Sequence, residues 1–413
     1  MDWFRKNTYE QGSQPRLMTD RLFSRRAVLA GGGLAVAAFG GSALLDAETF
    51  DGPGPTDRTR VWRQQWGDPT LSKFVPVSLD PSKLSPGWHV RPSVEADRPF
   101  DLHVPCLGRN RIVVRQGNAL RSYDRADGSL AWERRFEPGQ LGAVARVGET
   151  LVVPTNRGVS ALDAPSGRTL WVGDYETPGV LPPLTHRGDA YLPTGSTTAG
   201  DEGYYVVQPP TGFEQWGFDD DYGHATAAAG DRLAWLGDAL TVTDRRGDHQ
   251  WGADVEVPTF TYGGAIAVGE GRVVVRDWRG EGQASVAAYD TDDGTRRWRV
   301  EGFRDEGLAL SLGPEAVYCF VNSTQAPRRL VALAAATGEQ RWATDRYEVT
   351  RSPLATIDWL YVPTTDGLAV LDQATGREAA RFFPGERIQS VAAVVDGVAV
   401  AAGGVLRTLG RSA

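Results

Sequence analysis

Short runs in which apolar and polar residues alternate recur along most of the chain, separated by glycine-bearing turns. Leu141-Gly-Ala-Val-Ala-Arg-Val147 is followed across Gly148-Glu149 by Leu151-Val-Val-Pro-Thr155. The same pairing returns at Ala265-Ile-Ala-Val268 with Arg272-Val-Val-Val-Arg276, and at Leu308-Ala-Leu-Ser-Leu312 with Ala316-Val-Tyr-Cys-Phe-Val321. A period of two over such short stretches predicts half-buried β-strands joined by hairpins.

Behind each pair of strands comes a longer phrase containing an Asp or small residue, a polar turn, a Gly, and usually a Trp four residues later. It reads Arg121-Ser-Tyr-Asp-Arg-Ala-Asp-Gly128-Ser-Leu-Ala-Trp132 and Ala161-Leu-Asp-Ala-Pro-Ser-Gly167-Arg-Thr-Leu-Trp171. It returns as Gly212 with Trp216, Gly247 with Trp251, Gly294 with Trp298 and Gly338 with Trp342; the copy at Gly376 has Ala380 in place of Trp. The glycines are 39, 45, 35, 47, 44 and 38 residues apart. A period near 40, with two strands before the phrase and one on each side of its turn, predicts one four-stranded propeller blade per repeat. In such a turn Asp starts the reversal, Gly supplies a positive φ, and the Trp falls at a fixed place on the outgoing strand.

Three more strand signals follow the seventh phrase, from Ile388 to Leu409, and the sequence ends where a fourth should begin. Thr59-Arg-Val-Trp62-Arg-Gln-Gln-Trp66 reads as an orphan outer strand. Pairing residues 59–66 with the strands of 388–410 would complete an eighth blade and remove an exposed sheet edge. The expected fold is therefore all-β, an eight-bladed propeller of four-stranded antiparallel blades over residues 59–413. The alternative is seven blades with residues 59–100 as a separate arm.

The phrase resembles the pyrroloquinoline-quinone-type (PQQ-like) propeller repeat, also found in BamB-like scaffold proteins, in which Ala-x-Asp-x-x-Thr-Gly-x-x-x-Trp closes each blade. The resemblance implies that the tryptophans dock neighbouring blades, so Gly128, Trp132, Gly167, Trp171, Gly212, Trp216, Gly247, Trp251, Gly294, Trp298, Gly338, Trp342 and Gly376 are structural. It also raises quinone chemistry. Quinone-dependent dehydrogenases of this fold carry a vicinal cysteine pair, a calcium site and longer insertions, whereas Cys106 and Cys319 here are far apart in sequence. Neither PQQ nor calcium is expected, and the two cysteines are expected as buried free thiols.

Composition removes other classes. The 49 glycines follow no three-residue period and accompany 13 tryptophans, which excludes collagen and simple disorder. Formal net charge is -8, and it is more negative still beyond the first 47 residues, so no nucleic-acid footprint is expected. Arg5, Lys6, Arg16, Arg21, Arg25 and Arg26 precede an uncharged stretch from Ala27 to Leu45, with acids after it. Ser24-Arg-Arg-Ala-Val-Leu29 resembles the twin-arginine export signal. Residues 1–47 are expected as a signal peptide or signal anchor and 48–58 as a linker, with the remainder exported and any membrane contact confined to the N-terminal segment. No cysteine near residue 45 supports a lipid anchor, so a role in an outer-membrane assembly machine does not carry over with the repeat.

Little of the remaining chemistry is convergent. Asp219, Asp220 and Asp221 are three consecutive carboxylates of the kind hard cations prefer, but they lack the spaced ligands of a calcium loop and read as a solvated acidic loop. Insertions at residues 195–203, 277–282 and 322–328 lengthen the connection between second and third strands, elaborating one end of the propeller. Trp278, with Arg279 and Glu281, lies at that end as a candidate partner contact, or else packs on its own blade. The expected function is a noncatalytic scaffold for an extracytoplasmic protein or ligand. The alternative is a secreted quinoprotein-like oxidoreductase or polysaccharide-active enzyme.

Overall fold

A computed structural model describes residues 74–92, 102–108, 110–137, 141–155, 157–175, 183–194, 203–218, 225–236, 239–255, 265–278, 283–304, 309–321, 329–394 and 396–411. The N-terminal segment of 1–47 and residues 59–66 lie outside them. Within the described residues the strands form eight four-stranded antiparallel sheets. Seven blades follow the chain in order from inner to outer strand, as in the first: Leu102–Leu107, Arg111–Gln116, Ala119–Asp124 and Leu130–Arg135. The innermost strands neighbour one another in sequence, and that of the eighth blade neighbours that of the first, closing the ring.

Alternation decides what is buried. In the fifth blade Val273 and Val275 with Ala287 and Tyr289 meet the fourth blade, while Val274, Val286 and Ala288 with Trp298 meet the sixth. The three inner strands are thus apolar on both faces, and the outer strand contributes chiefly its Trp.

The repeated phrase does what its spacing predicts. Each turn glycine has a left-handed backbone, with φ from +69° to +88° at the seven positions. The ring of the preceding blade's Trp lies where a side chain would have to go: a Cβ at Gly128, Gly167, Gly212, Gly294, Gly338 or Gly376 would come within 2.5–2.9 Å of an indole carbon. The same indole donates its N–H to the carbonyl three residues before that glycine. The distances are 2.9 Å for Trp132 to Ala164, 2.9 Å for Trp251 to Thr291, 2.9 Å for Trp298 to Ala335 and 2.8 Å for Trp342 to Gln373. Trp171 makes the equivalent bond to Pro209. The side chain of Trp216 lies outside the described residues.

The closing strand is the expected device at a different place. The strand hydrogen-bonded to Val405–Arg411 is Leu84–Val90, from Leu84 opposite Arg411 to Val90 opposite Leu406. Trp88 of that strand lies over Gly128 of the first blade and donates to the Arg125 carbonyl at 2.8 Å. Trp62 and Trp66, expected for this position, are therefore corrected to Trp88. Pro86 and the register shift between Pro86 and His89 are tolerated because an outer strand has a free edge.

The same closure accounts for Ala380. The third and fourth strands of the eighth blade come from opposite ends of the chain, so no glycine turn joins them and a Trp at 380 would have no turn to grip. The incoming chain packs there instead. Val75 donates to Ala355 at 2.8 Å, Ile357 donates to Val77 at 3.0 Å, and the Tyr361 hydroxyl donates to the Leu79 carbonyl. The short 3-10 turn Pro81–Lys83 then lies against Glu378–Phe382.

Two alanine substitutions separate backbone strain from blade docking. Gly271 has φ +70° with open space around its missing Cβ, whereas Gly294 has φ +72° with the Trp251 ring 2.7 Å away. Gly271→Ala should cost about 1 kcal/mol and Gly294→Ala about 2–4 kcal/mol, read by denaturant unfolding. Equal losses would mean that the ring contact contributes nothing.

Candidate functional site

Chain direction within each blade assigns the loops to two ends. The first-to-second turn and the Gly turn open at one end; the second-to-third connection and the link to the next blade open at the other. At that second end blades 1 and 8 use two-residue turns, Gly117-Asn118 and Gly403-Gly404. Blades 3, 5 and 6 carry longer connections there, after Asp189–Thr194, Arg272–Trp278 and Ala316–Val321. Residues 195–202, 279–282 and 322–328 lie outside the described residues, as do Asp219, Asp220, Asp221, Arg279, Glu281 and the side chain of Trp278. The Trp278 backbone ends its strand opposite Ala284.

Beneath this loop-rich end, the described residues hold charges that the apolar pattern did not lead one to expect. Asp277 is fully buried, with Oδ2 2.9 Å from Nη1 of Arg299 and Ser285 beside it. Its neighbour Arg276 is also buried, and desolvation lowers its pKa to about 10, which still leaves it cationic at neutral pH. In the first blade Arg121 donates to Glu133 at 2.7 Å and to Gln116 at 3.0 Å, and Arg135 donates to the other Glu133 oxygen at 2.7 Å. Burial opposes ionisation of Glu133, but the bonds from Arg121 and Arg135 more than offset it and hold the carboxyl below the usual range. In the eighth blade Arg407 grips Glu386 with two bonds of 2.6 and 3.1 Å and lies over the Phe383 ring.

These groups are spread around the ring and are already engaged with one another. A buried pair of this kind is better read as a device that fixes packing than as spare catalytic capacity. The thiols point the same way. Cys106 sits on the innermost strand of the first blade and Cys319 on the second strand of the sixth, both fully buried and neither in a disulfide. Burial pushes the Cys106 thiol up to about 12 and the Cys319 thiol up as well, so neither supplies a thiolate at neutral pH.

Residues 53–202 and 200–319 match the family described as outer membrane protein assembly factor BamB. The chain belongs to the BamB family. No curated protein matches it. BamB from Moraxella catarrhalis superposes with a TM-score of 0.60 at 18% identity, covering 79% of this chain and 99% of that one. Two enzymes share the architecture as well. A quinohemoprotein alcohol dehydrogenase from Pseudomonas putida HK5 gives a TM-score of 0.63 at 12% identity, over 86% of this chain and 81% of that one. A europium-containing methanol dehydrogenase gives 0.62 at 11%, over 85% and 98%. At these identities the likeness is one of fold, and fold alone does not choose between scaffold and enzyme.

Against this BamB-type ring one further feature stands out, a cleft of about 200 Å³ at the seam between blades 8 and 1. Trp88, Leu107, Ile112, Val398 and Leu409 wall it, and the Arg125–Asp396 ion pair joins the two blades beside it. It lies at the Gly-turn end, away from the elaborated connections.

The structural reading of Asp277 is testable. Asp277→Ala leaves the largely buried Arg299 guanidinium without its buried counter-ion, with only the exposed Glu301 carboxylate 3.4 Å away, and should cost about 2–4 kcal/mol in denaturant unfolding. Glu315→Ala, which removes the solvent-exposed partner of Arg341, should cost less than about 1 kcal/mol. An Asp277→Ala protein as stable as the parent would show that the carboxylate is held for another purpose.

Proposed function

We propose that this protein is an exported, noncatalytic binding scaffold that engages an extracytoplasmic protein or ligand through the loop-rich end of its propeller. The observation that carries the reading is the pairing of charges beneath that end: Asp277 with Arg299, Glu133 with Arg121 and Arg135, and Glu386 with Arg407. They stiffen the platform, while the variation in length falls on the connections of blades 3, 5 and 6. Function on a rigid scaffold of this kind resides in its loops. Trp278, Arg279 and Glu281 are the contact side chains we assign, an aromatic flanked by both charge signs at the end of a blade.

The twin-arginine-like Ser24-Arg-Arg-Ala-Val-Leu29 and the uncharged stretch after it support export, with residues 27–45 as the only membrane contact. Replacing Arg25 and Arg26 together by Lys should keep the chain in the cytoplasmic fraction, because a pathway that reads the arginine pair does not accept lysine. Export of the double variant at the parental level would remove this signal from the reading.

The oxidoreductase alternative is kept because two quinone-type or methanol dehydrogenases share the fold. The two readings separate in one experiment on the full chain, with PQQ and calcium added at saturating concentration while thermal unfolding is followed. The scaffold predicts a melting temperature unchanged to within about 1 °C, whereas a ligand at 100 times its Kd would stabilise the fold by about 2.7 kcal/mol. In a second arm, crosslinking in exporting cells should give an adduct that is lost in the Trp278→Ala/Arg279→Ala/Glu281→Ala variant. Persistence of that adduct would move the contact elsewhere.

A further inference from the structure

Every blade of a propeller ends in an outer strand with one unpaired edge, and most of these edges carry a guard. Leu130–Arg135 has Glu133, Arg134 and Arg135, Phe213–Phe218 has Glu214, and His249–Ala253 begins with His249. Arg296–Arg304, Gln340–Thr344 and Glu378–Phe382 carry arginines, and Leu84–Val90 has Pro86 with its register shift. The outer strand of the second blade, Thr169–Gly173, is alone among the eight in having no charged residue, histidine or proline between its ends. Two aliphatic side chains are exposed on it, Leu170 at 36% and Val172 at 70%. Phe213 and Leu130, on the outer strands of the blades to either side, are also exposed.

The sequence of this edge is complementary to itself. Around Trp171, whose ring is committed to the third blade, the order is Arg168, Thr169, Leu170, Trp171, Val172, Gly173, Asp174. If two such strands run antiparallel about Trp171, Leu170 of each copy stands opposite Val172 of the other. Arg168 stands opposite Asp174 at both ends. Directly opposed aliphatic pairs and opposed charges are the cross-strand contacts that stabilise an antiparallel ladder. Arg168 and Asp174 are both exposed, and neither has a salt-bridge partner among the described residues. A two-fold axis uses each contact twice, the condition for an isologous interface.

We propose that the outer edge of the second blade is a self-association surface on which Thr169–Gly173 pairs antiparallel with the same strand of a second copy of this chain. The pairing joins two four-stranded blades into one eight-stranded sheet and removes the one unguarded edge of the ring. It leaves the loop-rich end free, so it is independent of the scaffold reading and adds valency to it.

Sedimentation velocity of the full chain in a mild detergent, over a range of concentrations, tests this. A reversible dimer is expected. Val172→Lys, at an exposed site that leaves the melting temperature unchanged, should raise its Kd at least tenfold, because a lysine then opposes Leu170 at two places. Arg168→Asp and Asp174→Arg should each weaken the dimer, by about tenfold, since each sets like charges opposite one another at both ends. The double swap Arg168→Asp/Asp174→Arg restores complementarity and should return the Kd to within about threefold of the parent. A chain that stays monomeric overturns the proposal, as does a dimer indifferent to Val172→Lys and the single charge reversals. Weakening by both reversals without recovery in the swap also overturns it, because the edge would then meet something other than itself.

Discussion

An indole ring of one blade can lie flat on the turn of the next only if that turn has no side chain at the point of contact, and the turn can take its shape only if the same residue tolerates a positive φ. Glycine meets both demands at once. The two requirements join neighbouring sheets through a single atom position, with the indole N–H closing on a carbonyl three residues away. A four-stranded antiparallel sheet with two apolar faces has no stable existence alone. Every blade but the seventh carries a Trp to give and every blade but the eighth a glycine turn to receive, so burial is complete only when Trp88 of the eighth blade reaches the turn of the first. The ring must close, and the number of blades follows from which Trp is left for Gly128.

That constraint explains the two irregular places in the repeat. Trp88 serves Gly128 because the chain's beginning and end share one sheet, and Ala380 is spared because the blade it faces has no third-to-fourth turn. Residues 74–79 lie against the seventh blade through the Phe74–Ala355 bridge and the hydrogen bonds to Ala355, Ile357 and Tyr361. This packing replaces with backbone and aliphatic contacts what a Trp at 380 would have supplied, and Leu79 is buried there beside Tyr361.

The fold was legible because its signal is local. Gly and Trp four residues apart, with an Asp ahead of the turn, is a pattern contained in a dozen residues, and its recurrence gives the period. The closing strand was not legible in the same way. Leu84-Ser-Pro-Gly-Trp-His-Val90 has a Pro-Gly pair at its centre, which reads as a turn, and no glycine four residues before its Trp. Only its pairing with Val405–Arg411, more than 300 residues away, makes it a strand. Among the functional groups, the five-residue run Arg272-Val-Val-Val-Arg276 reads in sequence as a strand, with Asp277 as the start of an insertion. The strand in fact continues to Trp278, and two charged residues at inward positions late in an apolar run are the signal of a buried ionic group.

A ring held in this way resists change at its centre and tolerates it at its ends, and that asymmetry decides where function can reside. Substitution of a turn glycine or an interblade Trp is transmitted to two blades, so these residues are not free to recognise anything. The inner strands are no freer, because their side chains on both faces are consumed by packing, and the buried ion pairs are held in place by that same packing. What remains are the connections at one end and the outer strands. The connections differ in length from blade to blade and the outer strands differ in how their edges are guarded. Individuality in this chain therefore belongs to loops whose length no hydrogen-bond ladder fixes, and to edges that no neighbouring blade covers.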